Sequence, residues 1–163
     1  MVELTFYGGV NEIGGNKVLL KSQHGSLFFD FGLSYKLENE FFEEFLQPRT
    51  NSKFYDLEKL GLLPRLDGIY RKDICCPEGL NNACTPTPGY WQSGLICYEE
   101  ACKNNTWHPD AVFISHAHAD HCGYLPFLGN IPIYCSEKSQ KLMKAISQIG
   151  NLEGYDSELT AYE

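Results

Sequence analysis

The sequence predicts an α/β fold, a sheet covered by helices. Three observations predict it. Short strand-like runs separated by glycine turns open the chain; strand and helix patterns alternate from residue 111 onward; and residues 136–149 carry a helical stripe between a capping serine and a glycine. The chain's 163 residues suffice for one domain with a core and are too few to expect two.

The opening runs are 4–7, 17–21 and 26–30, each rich in β-branched, aromatic or aliphatic residues. Gly8-Gly9, Gly14-Gly15 and Gln23-His24-Gly25 punctuate them, so an antiparallel meander is expected. The glycine-rich stretch 8–15 lacks the G-K-[ST] ending of a phosphate loop and reads as a turn. Residues 33–110 form an insert of different character. A short helix is expected over 38–46, with Phe41, Phe42, Phe45 and Leu46 on one face and Pro48 as its stop. Another is expected over 56–60, ended by Gly61. From 75 to 107 the periodicity is weak and Pro, Gly, Asn and Thr are frequent; this reads mostly as loop, with one apolar strand at 94–98.

Order returns with a strand at 111–115, a short helix at 120–128 containing Pro126, and a strand at 131–134. Then comes a helix over 136–149, with Ser136 as N-cap and Gly150 beyond its end. Leu142, Ala145, Ile146 and Ile149 are its expected buried stripe.

Hydrophobic residues make up 43% and aromatics 13%, as in a packed globular protein. A net charge of −8, from 13 basic and 21 acidic residues, argues against holding nucleic acid by phosphate neutralisation alone. No basic leader and no apolar run of about 18 residues is present, so a cytoplasmic protein without membrane segments is expected. The seven cysteines form no C-x-x-C pair and read as mostly reduced thiols. Cys75, Cys76, Cys84, Cys97 and Cys102 match no common zinc spacing, while Cys122 and Cys135 read as small core residues. His24 reads as a turn residue and His108 as a loop residue. Tyr90, Trp91 and Trp107 read as anchors of the loop rather than nucleobase platforms.

The chemistry concentrates in His116-Ala117-His118-Ala119-Asp120-His121. His116, His118 and Asp120 stand two apart at a strand end, a spacing that points them to one side of an extended chain. His121 follows as the chain turns into a helix. Three of the five histidines fall within these six positions. A chance H-x-H-x-D-H in a chain of this composition has odds of about two in ten thousand, so the pattern is read as metal-binding. Imidazole with carboxylate suits zinc, and also manganese or iron. Such a metal acidifies a bound water and polarises a carbonyl or phosphoryl oxygen, and two metals about 3.5–4 Å apart clamp both attacking and leaving oxygens.

The segment Phe113-Ile114-Ser115-His116-Ala117-His118-Ala119-Asp120-His121-Cys122-Gly123 resembles the second motif of the metallo-β-lactamase superfamily. It is closest to the S-H-x-H-x-D-H-x-G of β-CASP, ribonuclease J-like RNA-processing enzymes. Residues 7–16 resemble the opening of those enzymes, and Phe29-Asp30-Phe31-Gly32 their first motif. The resemblance covers roughly 1–30 and 110–150. It implies the N-terminal half of an αββα sandwich, with 33–110 inserted. It also implies a metal-dependent hydrolase, most closely a phosphodiesterase or ribonuclease, that uses a hydroxide activated by two zinc ions, with manganese as an alternative. By the same resemblance His116 and His118 bind one metal, Asp120 and His121 the other. Asp120 handles the proton of the attacking water, and Asp30 orients a ligand from behind.

The family's later motifs have no counterpart here: no histidine follows His121, and Asp156 is the sole later aspartate. A catalytic zinc takes three protein ligands, and this chain offers two per site. Alone it is expected to bind metal weakly, hydrolyse little and leave apolar sheet surface exposed. The favoured explanations are a fragment of a longer protein or a chain completed by a second, C-terminal polypeptide; homo-oligomers also remain open. The alternatives are a metallo-hydrolase of thioesters or lactams, and a non-catalytic module that pairs with a complementary chain.

Overall fold

The first three strands are β1 (Val2–Gly8), β2 (Lys17–Ser22) and β3 (Gly25–Phe29); Leu19 and Phe28 turn into the core, while Val2, Leu4 and Phe6 of β1 stay exposed. They pair antiparallel as a meander, with Thr5 opposite Leu19 and Leu19 opposite Phe28. The computed structural model describes residues 1–42, 46, 48, 53–75 and 93–149, with side chains through 146. The β2–β3 turn is tight: Ser22 faces Gly25, and the Ser22 hydroxyl accepts the His24 amide at 3.1 Å. The chain then leaves the sheet and returns as β4 (Ala111–Ile114), parallel to β3, followed by β5 (Ile133–Cys135), parallel to β4. Among the described residues the sheet has five strands in the order β1-β2-β3-β4-β5, so the molecule is α/β as expected.

The re-entry is fixed by one side chain. Asp110 Oδ2 accepts the Ser26 amide at 2.6 Å while its own amide donates to Ser26 oxygen at 2.9 Å.

Helices of the long connection cover one sheet face. They are α1 (Tyr35–Phe41), α2 (Lys53–Lys59), α3 (Lys72–Cys75) and α4 (Tyr98–Lys103). Phe54, Leu57, Leu62, Ile69, Tyr70 and Leu95 from this stretch share one core with Leu19, Phe28, Val112 and Ile114 of the sheet. Expected and observed elements differ here for local reasons. α1 begins at 35 rather than 38, because the Ser34 hydroxyl caps it by accepting the Leu37 amide at 3.2 Å. α2 begins at 53, and Gly61, at φ 78°, lies just beyond its end as expected. Residues 94–97 are no strand. They run beside 67–70 through Ile96 N–H to Asp67 Oδ1 (2.8 Å) and Gly68 N–H to Ile96 oxygen (2.8 Å), then turn into α4. α4 stands where the sequence reading had the end of a strand and loop, and α3 was not foreseen. Phe45, Cys76, Cys84, Tyr90, Trp91, Gly150 and Asp156 lie outside the described residues.

Beyond β4 the expected helix 120–128 divides into α5 (Ala119–Cys122) and one 3-10 turn (Leu125–Phe127). The Tyr124 amide donates to Phe31 oxygen at 3.0 Å instead of continuing the helix, and Pro126 has no amide to give. The last helix, α6 (Glu137–Ile149), is capped by Ser136, whose hydroxyl accepts the Ser139 amide at 3.1 Å. Its buried face is Ser139 and Met143, not the stripe read from sequence: Leu142 is 57% and Ile146 56% exposed.

Candidate metal-motif site

β4 ends at Ile114, and the motif occupies the turn from there into α5. This is the carboxyl end of a strand flanked by two parallel neighbours, where open α/β sheets bind ligands. Ala117 is buried between an exposed His118 and a half-buried His116, so the two histidines share a side and the alanine anchors the turn. Asp120 is placed by the first turn of α5 rather than by an extended strand, which differs from the sequence expectation. His118 leads into that helix, its carbonyl accepting the amides of His121 at 2.9 Å and Cys122 at 3.0 Å.

These turns bring the sequence-predicted residues together. The rings of His116 and His118 lie 4.7 Å apart and those of His116 and His121 3.9 Å apart, centre to centre. His121 Nε2 is 3.5 Å from Asp120 Oδ2. Asp30 closes the set from β3. Its carboxylate holds His121 Nδ1 at 2.8 Å and accepts the Ser115 amide at 2.8 Å and the Ser115 hydroxyl at 2.9 Å. It is 8% exposed and takes the left-handed conformation at φ 58°, which turns the carboxylate back under the motif. An Nδ1–H held this way leaves the Nε2 lone pair as the ring's free donor, the arrangement that orients metal-binding histidines.

Sequence reasoning missed several residues of the site. Ser115 contacts Asp30 and also lies 3.1 Å from the Nδ1 atoms of both His116 and His121. The glycine-rich stretch is one wall of the site. A Cβ on Gly14 would sit 2.5 Å from that of Asp120, and one on Gly32 would lie 1.7 Å from the Asp120 carbonyl oxygen. Asn16 donates its amide to that same carbonyl at 3.3 Å. The stretch is a turn rather than a phosphate loop, as read from sequence; its adjacent glycines 14 and 15 both take positive φ (79° and 70°) and lie where a Cβ would meet Asp120 and Ser34.

Behind the wall lies a polar network. Glu12 accepts the Gly9 amide at 2.9 Å and the Ser34 hydroxyl. Lys17, 1% exposed, donates to Gly15 oxygen at 3.2 Å and sits 5.0 Å from the centre of the Tyr124 ring. Burial pulls its ammonium down to about 8, against the opposing pull of Glu12 and Glu38. Tyr124 donates to Glu38 at 2.8 Å, and burial raises its phenol far above the usual range. Cys122 is buried and its thiol is pushed up to about 11, an inert core thiol. His24 pairs with Gln23, and His108 with Thr106 oxygen and the Tyr98 ring, so neither joins the motif.

The donor types fit a borderline divalent cation. Their present arrangement does not: among the described residues no three or more His, Cys, Asp or Glu side chains converge as a site for an ion. The rings pack on one another, and Asp30 and Ser115 engage the inner nitrogen of His121.

No family model matches the chain. Over 34 residues it is 53% identical to an RNase J-like protein of Methanocaldococcus jannaschii; the match covers 21% of this chain and 8% of that protein. A solved structure of a protein of unknown function from Enterococcus faecalis V583 shares the fold, with a TM-score of 0.58 and 21% identity, over 94% of this chain. The chain spans about a third (31%) of that protein's length. No helix among the described residues is long and apolar enough to cross a membrane.

Proposed function

We propose that this chain carries the N-terminal part of a metal-dependent hydrolase of the β-CASP, RNase J-like type, a phosphodiesterase that processes RNA. The observation that carries the reading is the Asp30–His121 pair at 2.8 Å beneath clustered His116, His118 and Asp120, at the carboxyl end of β4. The 34-residue likeness to an RNase J-like protein supports the choice of RNA as substrate. Zinc, or manganese, would supply the activated water and polarise the phosphoryl oxygen. His116 and His118 would hold one metal, and Asp120 and His121 the other. Asp30 holds the His121 ring, and Asp120 accepts a proton within the site. Two donors per metal fall short of the usual three, so the remainder comes from a further segment or a second polypeptide.

The net charge of −8 favours a second reading, hydrolysis of a thioester or lactam. That no three donors converge among the described residues is in keeping with a third, a non-catalytic module completed by another chain. Incubating the protein as isolated from its host with labelled RNA and Mn²⁺ or Zn²⁺ separates them. The expected result is RNA cleavage that a chelator abolishes. Intact RNA alongside a cleaved thioester or lactam would overturn the RNA assignment.

A further inference from the structure

We propose that Asn16 is a positioning residue that ties the glycine-rich wall to the histidine motif and fixes the plane of the His121 ring. Its main chain is bonded on both sides of the site. The amide donates to Asp120 oxygen at 3.3 Å, and the carbonyl accepts the Gly32 amide at 3.0 Å. Its side-chain nitrogen lies 3.4 Å from His121 Nδ1 and 3.3 Å from Nε2. Those two ring atoms flank Cε1. A donor equally far from both within the ring plane would collide with that carbon, so the amide lies over the face of the imidazole.

The amide's other end is also fixed. Its oxygen lies close beside the Gly9 backbone, where a Cβ would come within 2.2 Å of Asn16 Oδ1, while the nitrogen faces the ring. Asp30 and Ser115 hold His121 by its Nδ1 edge, which leaves rotation about that edge open. An amide on the face opposes that rotation. The next residue points the other way, Lys17 being buried behind the turn, so Asn16 is the residue of this strand entrance that reaches the motif. The role rests on the reading of His121 and Asp120 as site residues, but its test does not need a metal.

The test is NMR of the histidine ring nitrogens in the metal-free full chain, comparing the natural protein with Asn16→Ala and Asn16→Asp. The aspartate keeps the size and backbone bonds of Asn16 but replaces the N–H donor with a charged carboxylate, whereas the alanine removes the donor without adding charge. The expected result is a folded protein in both, with His121 ring signals shifted and broadened and those of His24 and His108 unchanged. Unchanged His121 signals in either folded variant would overturn the proposal. Loss of folding in both would overturn it too, making Asn16 a residue of the fold instead. Failure of the hydrolase reading is a separate result: the natural chain's His116, His118 and His121 signals would then ignore added Zn²⁺, while the Asn16 comparison in metal-free protein still stands.

Discussion

Lys17 and Asp30 show how single residues set the site's energetics. Asp30 satisfies both carboxylate oxygens with Ser115 and His121 and accepts an unfavourable backbone angle to do so, the kind of local strain found where geometry is over-determined. Lys17 is a buried ammonium whose folded value is about 8, against 10.5 when free. Between those pH values the unfolded chain binds more protons, so stability rises with pH. The penalty, about 3 kcal/mol, is fully present below pH 8 and is gone above 10.5. Glu12 and Glu38 keep hydrogen-bond partners without the lysine. Lys17→Met is therefore expected to exceed the natural protein in stability at pH 7, with the gap closing by pH 10. Urea denaturation at the two pH values checks this, and a constant gap would contradict it.

At the scale of elements, the site is made by α5 pressing its first turn onto two glycine positions of other segments. Gly32 lies opposite the Asp120 carbonyl so closely that any side chain forces α5 away. Its φ is not left-handed, so the effect of Gly32→Ala is purely steric. The expected loss is about 1–3 kcal/mol, with altered backbone amide shifts for Ala119–Cys122. A thermal unfolding midpoint and an NMR spectrum like those of the natural protein would contradict the packing. The same scale shows what was legible in the sequence. The histidine motif was, because its members are neighbours in the chain. The five sheet strands were, to within a residue or two, because alternation is local, whereas the strand expected at 94–98 was not found. Asn16, Ser115, Gly14 and Gly32 were not legible as site residues, since contacts such as Asn16 to His121, 105 residues apart, exist only after folding. The face of α6 was misread because period alone does not choose between neighbouring stripes: Ser139 and Met143 pack inward, and Leu142 with Ile146 stays outside.

At the scale of the whole molecule, the sheet has, among the described residues, one covered face and one bare one. Pairing register lines up Phe6, Val18, Phe29, Phe113 and Tyr134 across all five strands, with Leu4, Leu20, Leu27 and Ala111 as the row beside them. Phe6 is 58%, Phe113 44% and Tyr134 61% exposed. Exposed apolar sheet surface is what the sequence reading expects of half a sandwich, and contiguous apolar patches are uncommon on monomeric proteins. Replacing Phe6 and Phe113 together with threonine, a residue suited to strands, is expected to lower dye binding and self-association while changing stability by less than about 1 kcal/mol. A loss of about 3 kcal/mol, as for core residues, would show that the face is already packed.

The central claim is that the histidine motif supplies an incomplete set of metal donors. Isothermal titration of this chain with Zn²⁺, beside a His116→Ala, His118→Ala variant, tests it most directly. Weak binding in the natural chain, lost in the variant, is the predicted result. Tight stoichiometric zinc in the natural chain, lost in the variant, would contradict it.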